Sequence, residues 1–120
     1  MRSTRKRDVE LERLRQAQNE LVQRRNERRE VYAEWLSGFG RLLDVATRGQ
    51  LAEYGPSLSA LSHVGDAIQL IASTQVEQAV RAELAALRRI EARVTDLAEI
   101  IAEAARMHEK TLEAMRLDIG

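Results

Sequence analysis

Apolar side chains recur along the first 47 residues at the spacing of one helix face. They stand three, four or about seven residues apart, at Leu11, Leu14, Leu21, Tyr32, Trp35, Phe39, Leu42 and Ala46. On a helical wheel they fall in a stripe about 140° wide, which is typical of an amphipathic helix. The pattern predicts a first helix over residues 4–47. At about 1.5 Å per residue it is about 65 Å long, which is too long for a compact bundle of a chain this size.

Helix-ending and helix-starting residues divide the rest of the chain. Gly49 suits the position after a helix C-cap, so residues 48–56 are predicted to form a connector, with one helical turn over 51–54 as an alternative. Proline and serine at 56 and 57 are favourable at a helix start and predict a short second helix over 57–72. Thr74 and Glu77 have capping-box spacing, and the apolar phase slips near Ser73, which predicts a break there and a last helix over 74–117. The alternative is one bent helix over 57–117.

These segments predict an all-α fold in one domain of 120 residues. We expect an elongated helical hairpin or three-helix arrangement, coiled-coil-like, with two long amphipathic helices and a short middle helix. The middle helix is long enough to cover only about a third of either long stripe. Each stripe must therefore be covered by the other long helix or by a second chain, and a homodimer is the simplest expectation.

Composition agrees with this class and excludes several kinds of site. The chain is 44% hydrophobic and 32% charged, with one proline and 3% aromatic residues, which favours helix over sheet. Cysteine is absent, so disulfides, thiolate metal sites and cysteine nucleophiles are excluded. No apolar run of about 18 residues is present, and no apolar segment follows the basic start, so we expect a cytoplasmic protein.

Charge is balanced overall but unevenly distributed. Residues 1–30 hold ten basic and six acidic side chains, whereas residues 31–120 hold nine and thirteen. The two parts therefore carry net charges of +4 and −4. This asymmetry favours antiparallel or head-to-tail association.

Tyr32, Trp35 and Phe39 form an aromatic cluster on the stripe of the first helix. One interpretation is a packing centre where the first two helices meet. The other is an exposed anchor for a partner, a role in which tryptophan and tyrosine are enriched. Leu14 and Leu21, nearer the start of the same stripe, are candidates for contact with a second chain.

Arg24, Arg25, Arg28 and Arg29 lie within about 140° of one another on a helical wheel. They form a basic patch with glutamates interleaved, and the chain carries no net positive charge to drive counterion release. A solvated helix face is therefore the simpler interpretation. Contact with nucleic acid or another anionic surface is the alternative.

Two charged residues lie within apolar stripes, where a lone charge is unfavourable. Arg28 stands between Leu21 and Trp35, and Glu83 stands within the stripe of the last helix. Each must have a partner or reach water with its tip. We expect such charges to set helix register by pairing within the chain or across a dimer.

Nothing in the sequence indicates catalysis, a cofactor or a metal. The two histidines, His63 and His108, lack the Glu-x-x-His spacing of di-iron bundles and any His-Glu-x-x-His motif. No glycine-rich phosphate loop or Gly-x-Ser-x-Gly motif is present. We therefore expect a protein that is not an enzyme, with His108 satisfied in a helix seam and His63 on the surface.

The segment Arg28-Arg-Glu-Val-Tyr-Ala-Glu-Trp-Leu resembles one that recurs in small, uncharacterised all-helical proteins of actinobacteria or their phages. The run from Ile68 to Glu77 is similar to their second helix and the capped break that ends it. The resemblance covers about a sixth of the chain. It implies an all-α fold, a break at Ser73 and a bacterial or phage origin, and it implies no activity.

Together these features predict a helical assembly or adaptor protein that acts by helix–helix contact. Its partners are a second copy of itself and another protein. The alternative is binding of nucleic acid or an anionic surface through the arginine-rich half of the first helix.

Overall fold

The computed structural model describes residues 2–92 and 96–119, and of residues 2–4 the backbone only. This part of the chain forms four α-helices and no strand, which confirms the all-α class. The helices are α1 (Arg2–Thr47), α2 (Leu51–Ile71), α3 (Thr74–Glu91) and α4 (Leu97–Ile119).

The last half of α1 and the other three helices form an antiparallel four-helix bundle. In the bundle α1 packs beside α2, α2 beside α3, α3 beside α4, and α4 beside α1. Successive contacts run in opposite directions along α1 and α2: Arg28 meets Ile71, and ten residues later Gly38 meets Leu61. The stripes of three helices and half of the fourth are thus buried within one chain.

The bundle does not cover the first half of α1. Residues 5–27 are all exposed, and we call this segment the arm. Because the arm continues beyond the bundle, the molecule measures 74 × 23 × 16 Å with a radius of gyration of 19.7 Å. In the described part of the chain no helix is both long and apolar enough to cross a membrane.

The core runs along the whole bundle and includes the aromatic cluster of α1. Trp35 and Phe39 are completely buried, and Tyr32 nearly so. Large aliphatic residues from the other helices surround them. The buried apolar residues are Tyr32, Trp35, Phe39, Leu42, Ala46, Tyr54, Leu58, Leu61, Ile68, Val76, Val80, Ala86, Leu87, Ile90, Ile100, Ala104 and Met115.

The turn after α1 agrees with its sequence, but α2 begins earlier than predicted. Gly49 has φ of +74°, the left-handed conformation that ends α1, and the Gln50 amide bonds to the Val45 carbonyl. The helix then starts at Leu51 rather than residue 57, so most of the predicted connector is helical and Pro56 lies inside α2. Proline there removes one backbone hydrogen bond. Burial of Tyr54 in the same turn offsets this loss.

The predicted break near Ser73 is present. Ser73 has extended backbone angles, and its hydroxyl accepts a hydrogen bond from the Val76 amide at 3.4 Å. The cap is therefore Ser73, one residue before the Thr74 indicated by capping-box spacing. The alternative of one bent helix over 57–117 is wrong.

The predicted last helix over 74–117 is divided into α3 and α4. It ends first at Glu91 and resumes at Leu97, where Asp96 has φ of +45° and its carbonyl accepts from the amides of Glu99 and Ile100. The physical reason is that α3 and α4 fold against each other and bury both halves of the stripe within the chain. The three-helix arrangement with two long helices is therefore replaced by four helices with one long helix.

Candidate functional site

The arm exposes a row of large apolar side chains that has no covering helix in the described chain. Leu11, Leu14 and Leu21 are 55%, 62% and 61% exposed, and Val22 beside Leu21 is 55% exposed. Isolated exposed leucines are ordinary on protein surfaces, whereas three along one helix face, with Gln18 between the second and third, are typical of a contact surface.

The exposed row and the buried core of α1 belong to a single heptad pattern. The a positions are Leu11, Gln18, Arg25, Tyr32, Phe39 and Ala46, and the d positions are Leu14, Leu21, Arg28, Trp35 and Leu42. From Tyr32 onward these positions are buried under α2 and α4. Before Arg28 they are exposed. We call this a/d face the seam, so the arm carries its uncovered half.

Arg28 marks the point where the seam passes from exposed to buried. Its Nε donates a hydrogen bond to the Ile71 carbonyl at 2.8 Å, and its Nη1 lies 3.5 Å from Asp118 Oδ1. The other oxygen of Asp118 accepts a hydrogen bond from the Tyr32 hydroxyl. Arg28 thus ties α1 to the last turns of α2 and α4.

Two leucines at this end of the bundle are the most exposed large apolar side chains in the described chain. Leu70 on α2 is 87% exposed, and Leu117 on α4 is 74% exposed. A cleft of about 350 Å³ lies between the base of the arm and α2, lined by Arg24, Glu27, Arg28, Leu70 and Ile71. Apolar surface therefore continues from the arm onto the end of the bundle.

A buried carboxylate lies at the centre of the bundle. Glu83 is fully buried, and its Oε2 accepts a hydrogen bond from Trp35 Nε1 at 2.6 Å. Its Oε1 lies 3.2 Å from His108 Nδ1, and the imidazole of His108 stacks on Phe39 with ring centroids 4.3 Å apart. One residue from each of α3 and α4 thus meets two aromatic residues of α1.

This centre joins helices rather than forming an open site. In residues 2–92 and 96–119, every fully buried side-chain nitrogen or oxygen has a hydrogen-bond partner. Satisfied polar groups in a core fix one relative position of the helices, because a shifted register leaves them unpaired. His108, which was predicted to be a satisfied seam histidine, is part of this centre, and His63 is exposed as expected.

Arg28 and Glu83 do not pair with each other within the chain. Arg28 binds Asp118 and a backbone carbonyl, whereas Glu83 binds Trp35 and His108. The expectation that each seam charge has a partner is confirmed. The two occupy different levels of the bundle, so each pairs with other groups of the chain.

The structure divides the four-arginine patch. Arg24, Arg25 and Arg29 are exposed near the base of the arm, while Arg28 is only partly exposed and already bonded. Glu27 accepts a hydrogen bond from Gln23 at 3.5 Å and lies among them. The patch is therefore three exposed guanidinium groups with an acidic neighbour.

Among the described residues, no group of three or more histidine, aspartate or glutamate side chains is placed to hold a metal ion.

A cleft of about 540 Å³ follows the α1–α2 boundary beside Ser37, Gly38 and Leu61. Gly38 lets the helices approach closely, because a Cβ there would lie 2.7 Å from Leu61 Cδ1.

Two polar residues of the bundle were missed by sequence reasoning. Tyr54 was placed in the connector, yet it is buried and its hydroxyl donates to the Leu87 carbonyl at 2.7 Å. Asp118 was placed just beyond the last helix, yet it holds Arg28 and Tyr32. The helix-forming run Leu51-Ala-Glu that directly precedes Tyr54 was the available signal for the first. Nothing local indicated the second.

Burial raises the pKa of both tyrosines well above the usual value. For Tyr32 the loss of hydration is the main cause, followed by its hydrogen bond to Asp118 and the negative charge of that group. For Tyr54 burial is again the main cause, followed by the charge of Glu91. Both environments therefore favour the neutral phenol in the folded state.

We expect the protein to lose stability in alkali through these two tyrosines. A phenol ionises at about pH 10 in the unfolded chain, so above that pH the folded state binds more protons. Their contribution is complete below about pH 10 and is lost as pH rises toward the folded-state pKa, by about 1.4 kcal/mol per pH unit for each tyrosine. Urea unfolding from about pH 9 to about pH 11 measures this slope.

The Tyr54→Phe variant is the control for the alkaline effect. It loses the hydrogen bond to Leu87 at every pH, but its stability should fall with pH about half as steeply as that of the wild type. An unchanged slope in both Tyr54→Phe and Tyr32→Phe would contradict the assignment.

Comparisons with protein families, with curated proteins and with solved structures gave no match to this chain.

Proposed function

We propose that this protein is a non-enzymatic helical assembly or adaptor protein of the bacterial cytoplasm that acts by helix–helix contact. The bundle is the rigid support, and the arm is the contact element. The observation that carries the proposal is the uncovered half of the seam, with Leu11, Leu14 and Leu21 exposed in one heptad frame.

Helix stability supports a contact role for the arm. A helix gains most of its stability from packing of its apolar face, and short isolated helices are marginal in water. The arm projects about 35 Å from the bundle at about 1.5 Å per residue. Its stripe has the spacing of a surface that receives another helix, with leucines as anchors and charged residues at the edges.

The buried polar centre is evidence that the bundle holds the arm rigidly. Trp35 and Glu83 fix α1 against α3, and Arg28 fixes it against the ends of α2 and α4. Because α1 is one continuous helix, this holds the direction of the arm relative to the bundle. A partner bound to the arm is thereby held at a defined position.

Site-specific photo-crosslinking tests the contact role. A benzophenone side chain at Leu14 lies in the seam, and the same group at Gln16 lies on the opposite face as a matched control. We expect a covalent adduct with a protein, this chain or another, from position 14 and none from position 16, in purified protein or in the cells that produce it. Absence of a protein adduct from both positions in both settings would contradict the proposal.

Binding to an anionic surface is the second candidate, and the exposure of Arg24, Arg25 and Arg29 favours it. It predicts affinity for DNA or acidic vesicles that falls steeply between low and physiological salt. Replacing the three arginines by glutamine should then abolish binding. Binding that is absent, or independent of salt, would remove this candidate.

A further inference from the structure

We propose that the partner of the arm is the arm of a second copy of this chain, paired antiparallel with the two-fold axis at the level of Gln16. This inference rests on the proposed function, because it names the partner of the same stripe. It follows from the position of the bundle, from the order of residues along the arm and from the exposed end of the bundle.

The position of the bundle excludes a parallel pair of α1 helices. From Tyr32 onward the seam of α1 is covered by α2 and α4 of its own chain. A parallel partner helix packed on the arm would continue into the space that these two helices occupy. An antiparallel partner places its own bundle at the opposite end of the pair, away from α2 and α4 of the first copy.

The order of residues selects one antiparallel register. In an antiparallel coiled coil an a position of one helix faces a d position of the other. Leu11 then faces the partner's Leu21, and Leu14 faces the partner's Gln18. Seam residues that face each other have numbers that sum to 32, so the axis lies at residue 16. This register pairs residues 5–27 of one copy with residues 5–27 of the other.

Charged residues at the edges agree with this register. Glu10 and Arg24 occupy g positions, and Glu10 faces the partner's Arg24 at both ends of the pair. Arg15 faces its own copy at the axis, where its long side chain reaches water. Arg7 and Arg25 also face each other at both ends, so two attractive contacts are set against three arginine pairs whose side-chain tips reach water.

In the same register the partner's arm also covers apolar surface at the end of the bundle. In this register the partner's residues 5–9 lie against residues 23–27, beside the 350 Å³ cleft and Leu70. Helices α2 and α4 both end here, and the negative ends of their dipoles attract the partner's basic residues 5–7. Pairing therefore covers the bundle end as well as the seam.

The interface is short, so the pair should form reversibly. Each copy contributes three leucines and Val22, which places the contact at the small end of specific interfaces. We expect a dimer whose population depends on protein concentration in the micromolar range. The isologous geometry closes after two copies and produces no filament.

Disulfide trapping tests the orientation, and the absence of native cysteine makes it direct. Leu14→Cys and Gln18→Cys proteins are mixed in equal amounts in a glutathione redox buffer. Antiparallel pairing places position 14 beside the partner's position 18, so the mixed 14–18 disulfide should exceed either homodisulfide by about tenfold or more. Gln16→Cys, on the opposite face, should give no enriched product.

The outcomes separate this inference from the proposed function. Predominant 14–14 and 18–18 disulfides, or a statistical mixture, would overturn the antiparallel pair. So would a monomer at every concentration by light scattering. If position 14 then crosslinks to a different protein, the contact role of the arm survives and its partner is not a second copy. Positions 14, 16 and 18 are all exposed, so each variant should retain the bundle, and circular dichroism checks this.

Discussion

Replacing Trp35 by alanine should lower the free energy of unfolding by about 3–5 kcal/mol. The indole is completely buried between α2 and α3, with Gly65 against its ring and Glu83 bonded to its Nε1. Truncation leaves a cavity and also leaves one oxygen of a buried carboxylate without its donor. A loss of this size is a large fraction of the total stability of an ordinary domain.

Urea unfolding followed by far-ultraviolet circular dichroism measures this loss. Leu14→Ala is the control, because its side chain is also large and apolar but lies on the exposed arm. At protein concentrations low enough for the monomer it should change stability by no more than about 0.5 kcal/mol. Equal effects of the two substitutions would contradict the division of α1 into a buried half and an arm.

Replacing Glu83 by alanine should lower the free energy of unfolding by about 2–4 kcal/mol. The change removes the carboxyl group that accepts from Trp35 Nε1 and lies 3.2 Å from His108 Nδ1, in the middle of the core. Glu83→Gln keeps an acceptor oxygen for the indole and should be milder, by about half or more. A larger loss from glutamine than from alanine would contradict this geometry.

A double-mutant cycle isolates the contact between the indole and the carboxylate. Trp35→Phe removes the donor, and Glu83→Met removes the acceptor with little change of volume. The loss in free energy of unfolding of the double variant should be smaller than the sum of the two single losses by about 0.5–3 kcal/mol. The reason is that in the double variant neither the indole nor the carboxylate is left without its partner. Strict additivity would mean that the hydrogen bond contributes nothing.

The burial of the aromatic half of α1 was predictable from sequence because it depends on local spacing. Tyr32, Trp35 and Phe39 fall on one helix face whatever packs on them, and of the two interpretations their burial supports the packing centre. The end of α1 before Gly49 and the break at Ser73 were predictable for the same reason, since each depends on the chemistry of one residue.

The division of the last helix was not predicted, because its stripe keeps a helical period on both sides of the break. Only the pairing of α3 with α4, a long-range preference, makes two helices better than one. Asp96 with Glu99 has the spacing of an N-terminal cap and was the local signal available. The early start of α2 was also missed, since Pro56 favours a helix start and burial of Tyr54 outweighs that preference.

The candidate site was only partly predictable. Leu14 and Leu21 were identified as contact residues from the stripe, and the structure leaves both exposed. Arg28 and Glu83 were identified as seam charges, but their partners are distant in sequence. The partners of Arg28 lie 43 or more residues away, and those of Glu83 lie 25 or more residues away. No local pattern connects residues at such separations, so the partners could be identified only from the tertiary structure.

Amide hydrogen exchange of the arm tests the central claim most directly. If a second copy covers the seam, amides of residues 8–24 should become more protected as protein concentration rises, while those of the bundle stay unchanged. Gln18→Glu and Leu21→Glu together should abolish the concentration dependence. Exchange of the arm at the same unprotected rate at every concentration would contradict the account.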